Sequence, residues 1–474
     1  QLIPAAVVQE VVQFGHQVRE CLQRARRGEH GWRKARDIRP KPRLFTEREA
    51  INECGWGFAW CRVDPSTPLC DDSLWEAVLP SVWPDDPPCP GSDTVIDGAR
   101  FEELARRHGY VDEEVISWNK HGYPGVGMDN VAELNPPHVG ALKEAAAFED
   151  MNQRDAERDF VTKGAEFPTV WPLICNPCNI VVQNGKPRMT IDKTMWTSGR
   201  DDLPPYNFLI DLDDMGRMGG RLILVRVWQF TRGAAILLSA LSKADPVKLI
   251  LSKFDLQAFF RRHPKQRAHM RESGRIMESL YNVDLRVNFG ERDAPDHTCR
   301  ESDGLCLFMR KELRRLDREY PSRVQSINMW LSRRCLLRTS AEAAEHDDMN
   351  EFIWDVMFML AFYVDDGGLV TFNEPLFSSD GSPVVELVTD NRGVERAVAV
   401  TRDARYREAC VKIGEYVNHV FPEDKREHGP CIVWLGISVD LEVQRRMLPR
   451  AKALSYMQLA KFCLEGQRTM PNAL

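Results

Sequence analysis

The sequence predicts an α+β fold, and three stretches carry that expectation. The first is an apolar run from Val356 to Tyr363, followed by Asp365-Asp366-Gly367-Gly368 and a second apolar run from Leu369. This order reads as a buried β-hairpin with paired acids at its turn. The second is Leu249 to Phe260, an apolar strand ending in Asp255 and followed by two aromatics, Phe259 and Phe260. The third is Val225 to Leu241, whose apolar residues recur with helical period and predict a helix packed behind the sheet.

Asp-Gly alone is ordinary turn chemistry. A second acid gives it meaning. If 249–255 pairs beside the hairpin, Asp255, Asp365 and Asp366 converge on one sheet edge, where they repel unless a cation sits among them. An all-oxygen donor set without His or Cys favours Mg²⁺, with Mn²⁺ as a substitute, completed by substrate phosphates. Two such ions roughly 4 Å apart clamp the attacking and leaving oxygens of phosphoryl transfer.

Five motifs in order resemble the reverse transcriptase family, and they span roughly 160 to 465. Tyr363-Val364-Asp365-Asp366 matches its Tyr-x-Asp-Asp box, and Phe254-Asp255-Leu256, with Phe260 five residues after the acid, matches its first catalytic box. Phe289-Gly290-Glu291-Arg292-Asp293-Ala294-Pro295 has the pattern of its template-positioning segment. Asn184 to Asp192, with Lys186 and Arg188, looks like the fingers hairpin. Val433-Trp434-Leu435-Gly436-Ile437 looks like the Leu-Gly hairpin that grips the primer.

The resemblance implies a right-hand polymerase with fingers and palm, a partial thumb and an extra N-terminal region. It implies an RNA-directed DNA polymerase of a retrotransposon-like element, taking an RNA or DNA template, a DNA or RNA primer and deoxynucleoside triphosphates. The implied catalytic residues are Asp255, Asp365, Asp366 and Lys425, with the Leu256 backbone joining the acids at the metals. Arg188, Lys186, Phe260 and Phe259 would meet the nucleotide, Phe260 excluding a 2′-hydroxyl. Phe289, Gly290, Ala294, Pro295, Tyr363, Leu435 and Gly436 would meet template or primer. Two departures stand out: Val181-Val182-Gln183 lacks a Lys the family often has, and Phe259 replaces a small residue. A non-catalytic nucleic-acid-binding descendant and a two-metal nuclease are the alternatives from other classes.

Composition fits this reading without producing it. At 474 residues, 43% hydrophobic and 28% charged, the chain can build a sizeable core in two or three subdomains. No stretch reads as a membrane span or secretory signal, so an intracellular protein, nuclear or cytoplasmic, is expected. The initial Gln suggests a piece of a longer reading frame. Net charge is −7, yet Lys253 to Arg338 holds 19 Lys and Arg against 12 Asp and Glu, the balance expected of a template channel. Thirteen cysteines are scattered. Cys175-Asn176-Pro177-Cys178 has metal-ligand spacing but no second pair, so a structural role is favoured; Cys54, Cys61, Cys70 and Cys89 form a looser cluster that leaves a zinc site open, with irregular spacing the argument against it.

Along the chain, 1–95 form an extension of unknown role and 96–160 a helical lead-in, with a charged helix from Leu142 to Phe160. Fingers follow over 161–247 and palm over 248–440, including a surface hairpin between Asp380 and Thr401. Residues 441–474 begin a thumb.

Overall fold

The structure is a computed structural model that describes residues 61–63, 95–127, 132–135, 137–165, 173–183, 186–194, 205–210, 227–277, 280–288, 290–291, 293–338, 357–389, 393, 395–449 and 452–454. Nearly all of them belong to one unit, 45–197 with 201–447; the other unit, 1–44, 198–200 and 448–474, contributes a short helical stretch at 452–454. The expectations for the N-terminal extension, apart from 61–63 and 95, and for most of the thumb lie outside the described residues.

The chain is a mixed α+β protein. It runs β1 (Cys61–Val63), α1 (Gly98–His108), α2 (Glu113–His121), β2 (Ala132–Leu134), α3 (Val139–Lys143), α4 (Ala145–Glu157), β3 (Ile174–Cys175), β4 (Cys178–Gln183) and β5 (Lys186–Ile191). Next come α5 (Tyr206–Leu209), α6 (Val227–Leu238), β6 (Leu249–Asp255), a 3₁₀ turn (Phe259–Arg262), α7 (Arg267–Met270), β7 (Gly274–Met277), β8 (Leu280–Val283), α8 (Ala294–Glu319) and α9 (Gln325–Arg338). Then follow β9 (Phe358–Tyr363), β10 (Asp366–Phe372), β11 (Val385–Thr389), β12 (Glu395–Ala399), α10 (Arg402–Tyr416), β13 (Glu427–Gly429), β14 (Cys431–Trp434), β15 (Ile437–Asp440) and β16 (Arg445–Met447).

The central sheet has the order β13-β6-β10-β9, every neighbour antiparallel. Strands β6, β10 and β9 are largely apolar and buried because helices cover both faces there. Phe358, Leu360 and Phe362 alternate to one side and join Phe308, Leu305 and Leu313 of α8 and Tyr406 of α10. Met359 and Ala361 point the other way, to Phe230, Ala234 and Leu237 of α6 and to Trp434. Continuous burial along β9 is why its sequence shows an unbroken apolar run rather than alternation.

A second, mixed sheet has the order β1-β2-β3-β7-β8, with β2, β3 and β7 parallel. Strands β4 and β5 form an antiparallel hairpin, whose Cys178, Ile180 and Ile191 pack with Ala141 of α3 and Phe148 of α4. Cys175 and Cys178 are buried free thiols, and burial pushes Cys178 up to about 12, as suits structural cysteines. Of the looser cysteine cluster, only the Cys61 backbone is among the described residues.

Several basic residues in the middle of the chain are ion-paired within the protein. Arg261 bonds Asp284 and Asp155, Lys265 pairs with Glu291, Arg300 forks onto Asp112, and Arg315 pairs with Glu312 and Glu319. Arg275 is also buried near Asp155 and Asp284. These residues answer buried or nearby carboxylates as well as adding to the segment's positive charge.

Candidate active site

Sequence places the acids on a turn and on a strand end; register decides whether they meet. Asp366 lies directly opposite Asp255 across the β10–β6 ladder and opposite Tyr363 across the hairpin. The turn itself is Val364-Asp365, so Asp366-Gly367-Gly368 already belong to β10. The glycines therefore answer to packing rather than to the turn. A Cβ on Gly368 would come within 2.9 Å of the Phe230 ring and 3.1 Å of the Trp434 ring, and neither position has a left-handed φ.

Val364 sits at φ 56°, a conformation that costs a β-branched residue about 1–3 kcal/mol. Its surroundings hold it there. The Ser302 hydroxyl of α8 donates to the Val364 carbonyl, and the Leu256 N–H donates to the Asp365 carbonyl at 3.0 Å. Trp434 Nε1 donates to the Asp366 carbonyl at 3.4 Å. The acid turn is thus tied to α8, to the end of β6 and to the β14–β15 hairpin.

Burial, then the charges of Asp366 and Asp255, push the Asp365 carboxyl up to about 6. Burial also raises Asp366, against the attraction of Lys253. Two lysines answer this negative charge: Lys425 is ion-paired with Asp255, and Lys253 Nζ lies 3.9 Å from both Asp366 and Glu427. Lys425 comes from a short 3₁₀ turn before β13 and remains 50% exposed. Among the described residues no three His, Cys, Asp or Glu side chains stand as a finished metal-ligand set. The structure brings the three acids to one sheet edge with lysine as their counterion.

The two aromatics after Asp255 part company. Ala258 adopts φ 51°, and the 3₁₀ turn that follows buries Phe259 at 2% exposure against His263 and His419, while Phe260 stays half-buried. Phe259 is therefore a core residue, while the half-buried Phe260 packs against the cluster of Tyr123, Val287 and Ala294.

Arg188 is exposed on β5, opposite Val181; nothing is described of the Lys186 side chain. Phe289 lies outside the described residues. Gly290 has φ 120°, and a Cβ there would meet the Ile191 carbonyl at 1.9 Å, so only glycine lets this segment touch the end of β5. Ala294 and Pro295 open α8, Pro at its first turn. Leu435 and Gly436, at φ 49° and 74°, make the two-residue turn between β14 and β15. Tyr363 packs with the core around Phe230 and Trp434.

Sequence reasoning missed the buried polar clusters behind this site. Lys193, Lys265, Ser273 and Glu291 form one, and Glu301, His263 and His419 another. Their members are far apart in the chain, and a lone buried His or Lys carries no local pattern. The one available signal was Glu291 inside the Phe-Gly-x-x-x-Ala-Pro motif.

No protein-family model and no curated protein matches the chain. Among solved structures it is similar to the foamy viral protease-reverse transcriptase in complex with double-stranded DNA, with 11% identity, a TM-score of 0.38, and coverage of 86% of this chain and 64% of that one. The same protein with an RNA/DNA hybrid gives 11% identity and a TM-score of 0.36, over 89% of this chain and 40% of that one. A dRH form with double-stranded DNA gives 13% identity and a TM-score of 0.36, over 83% and 52%. The chain thus spans about half the length of the foamy viral proteins it matches. Similarity this distant assigns no role to any residue. Among the described residues no helix is long and apolar enough to cross a membrane.

Proposed function

We propose that this chain is a template-directed nucleotidyltransferase of the reverse transcriptase kind, adding deoxynucleotides to a primer. The observation that carries the reading is the register of the central sheet, which sets Asp366 opposite Asp255 with Asp365 on the adjoining turn. The donor chemistry fits Mg²⁺ or Mn²⁺: three carboxylates, one of them pushed up to about 6 by burial and by the other two, gain from a hard divalent cation. Such an ion supplies Lewis-acid activation of the primer hydroxyl and neutralises the departing pyrophosphate.

In this reading Asp255, Asp365 and Asp366 would hold the ions, together with the Leu256 backbone. Lys425, which is ion-paired with Asp255, would give its proton to the leaving group. Arg188 forks onto the triphosphate oxygens, with Lys186 beside it. The Phe260 ring fills the space of a 2′-hydroxyl, which selects deoxynucleotides. Phe289, Gly290, Ala294 and Pro295 line the template side, and Tyr363, Leu435 and Gly436 the primer. Residues 161–247 serve as fingers, 248–440 as palm and 441–474 as the start of a thumb. Template and primer are RNA or DNA, the chain acts inside the cell, and a retrotransposon-like element is its origin.

One observation favours a second reading, a non-catalytic nucleic-acid-binding descendant: the Lys425–Asp255 pair already neutralises part of the site. Primer extension on RNA and DNA templates separates the two. The catalytic reading requires Mg²⁺- or Mn²⁺-dependent extension that disappears in a folded Asp255→Asn or Asp365→Asn variant. Binding of primer–template without extension by the parent chain selects the second reading.

A further inference from the structure

Behind the acid turn lies a carboxylate held between two imidazoles, and all three side chains are sealed from solvent. Glu301 of α8 meets His263 Nε2 with one oxygen and His419 Nε2, at 2.6 Å, with the other. His263 follows the 3₁₀ turn that carries Phe259 and Phe260. His419 lies just beyond α10, next to Val420, whose carbonyl takes the Gln257 N–H at 2.9 Å. The Phe259 ring rests on both imidazoles, at 5.0 and 5.2 Å.

Hydrogen-bond partners locate the protons. His263 Nε2 faces the Glu301 carboxylate and Nδ1 lies 3.3 Å from the Phe260 carbonyl. Both are acceptors, so a ring carrying a proton on each nitrogen would satisfy both and balance Glu301. His419 donates from Nε2 while its buried Nδ1 has no partner, which is the pattern of a neutral ring. Burial holds His419 below its usual range, with Glu301 opposing, and burial raises Glu301 less than the two imidazoles lower it, leaving it at about 2. The surrounding charged or titratable groups are Arg262, which donates to the Gln257 and Asn418 carbonyls, Tyr123, and His297 beyond it, held neutral by burial at about 3.

The next residue, Ser302, holds the Val364 carbonyl. One turn of α8 therefore fastens both the acid turn and the aromatic turn. We propose that Glu301, acting through the His263 imidazolium, is a positioning residue for sugar discrimination: the pair fixes the Phe260 carbonyl, and with it the ring that reads the ribose. This inference rests on the polymerase reading above.

Glu301→Gln keeps the side chain's shape and removes its charge. In primer extension with the parent chain as control, the preference for deoxy- over ribonucleotides should fall about tenfold or more, with a raised KM for the deoxynucleotide and a nearly constant kcat. Affinity for primer–template and for Mn²⁺ should hold within about twofold, since no ligand of either is touched. His419→Gln, which leaves the His263 contact in place, should move the preference less. Nitrogen-15 NMR of histidine-labelled parent protein reads the ion pair without any variant: His263 should show two protonated ring nitrogens at neutral pH. An unchanged sugar preference in a folded, extending Glu301→Gln variant overturns the proposal, and so does a singly protonated His263 in the parent chain. Failure of the parent chain to extend any primer sinks the polymerase reading and the sugar role with it, while the NMR result still decides the ion pair.

Discussion

Glu291→Gln probes how the β4–β5 hairpin is fastened to the segment leading into α8. Glu291 is buried and receives Lys193 Nζ at 2.9 Å and Lys265 Nζ, while the Ser273 hydroxyl meets both lysines. Lys193, two residues beyond β5, also lies 3.8 Å above the Tyr206 ring. Burial pushes the Glu291 carboxyl up, but the two lysines outweigh it and hold it at about 2, against an ordinary 4.5. That difference corresponds to about 3 kcal/mol of folding stability. An amide cannot balance two buried ammonium groups, so the loss at neutral pH should reach about 3–5 kcal/mol.

The pH dependence follows from the two shifted groups. Glu291 has a folded value below its unfolded one, so its contribution is full above about 4.5 and fades as pH falls toward about 2. Lys265 is pushed down to about 8 by burial, against the pull of Glu291, so the cost of its charge is full below about 8 and vanishes as pH rises past about 10.5. The gap between parent and variant should therefore be widest from about pH 5 to 8 and shrink on both sides. Urea unfolding of both proteins across this range measures it. A gap under about 1 kcal/mol at neutral pH, or one that does not change with pH, would refute the argument that Glu291 is the counterion of both lysines.

Three further changes test other links. Phe260→Ala should raise ribonucleotide incorporation relative to deoxynucleotide in primer extension while leaving metal dependence intact; an unchanged ratio places the sugar gate elsewhere. Gly368→Ala drives a Cβ toward the Phe230 and Trp434 rings, which are fully buried, and should cost about 1–3 kcal/mol in thermal unfolding, with a negligible shift showing that the rings yield freely. Replacing 385–399 by a short Gly-Ser loop should change stability by less than about 1 kcal/mol, because both strands are exposed along their length and the lost Arg405–Glu386 pair is largely solvated. The junction is already closed, with the Val400 N–H donating to the Val384 carbonyl at 2.8 Å, so a large loss would reveal a structural role for the hairpin.

By itself the sequence determined whatever depends on neighbours in the chain. Apolar runs broken by Asp365-Asp366 became β9 and β10, the run ending in Asp255 became β6, the periodic stretch around Phe230 became α6, and the alternation after Pro383 became the surface hairpin. Spacing also singled out Phe260, five residues after Asp255, while the burial of Phe259 came from the packing around His263 and His419. Tertiary structure decided whatever depends on which distant groups share a low-dielectric interior. Pairing of Asp366 with Asp255 needed the strand register, and the need for Gly368 came from rings on α6 and β14. Arg261 and Lys265 of the middle segment turned inward because Asp284 and Glu291 are buried beside them and Asp155 partly so, where an ion without a counterion is too costly to keep. Propensity and periodicity are local and can be read along the chain, but desolvation is a property of the packed molecule, so the residues that set the charge state of this site emerge only when the fold brings them together.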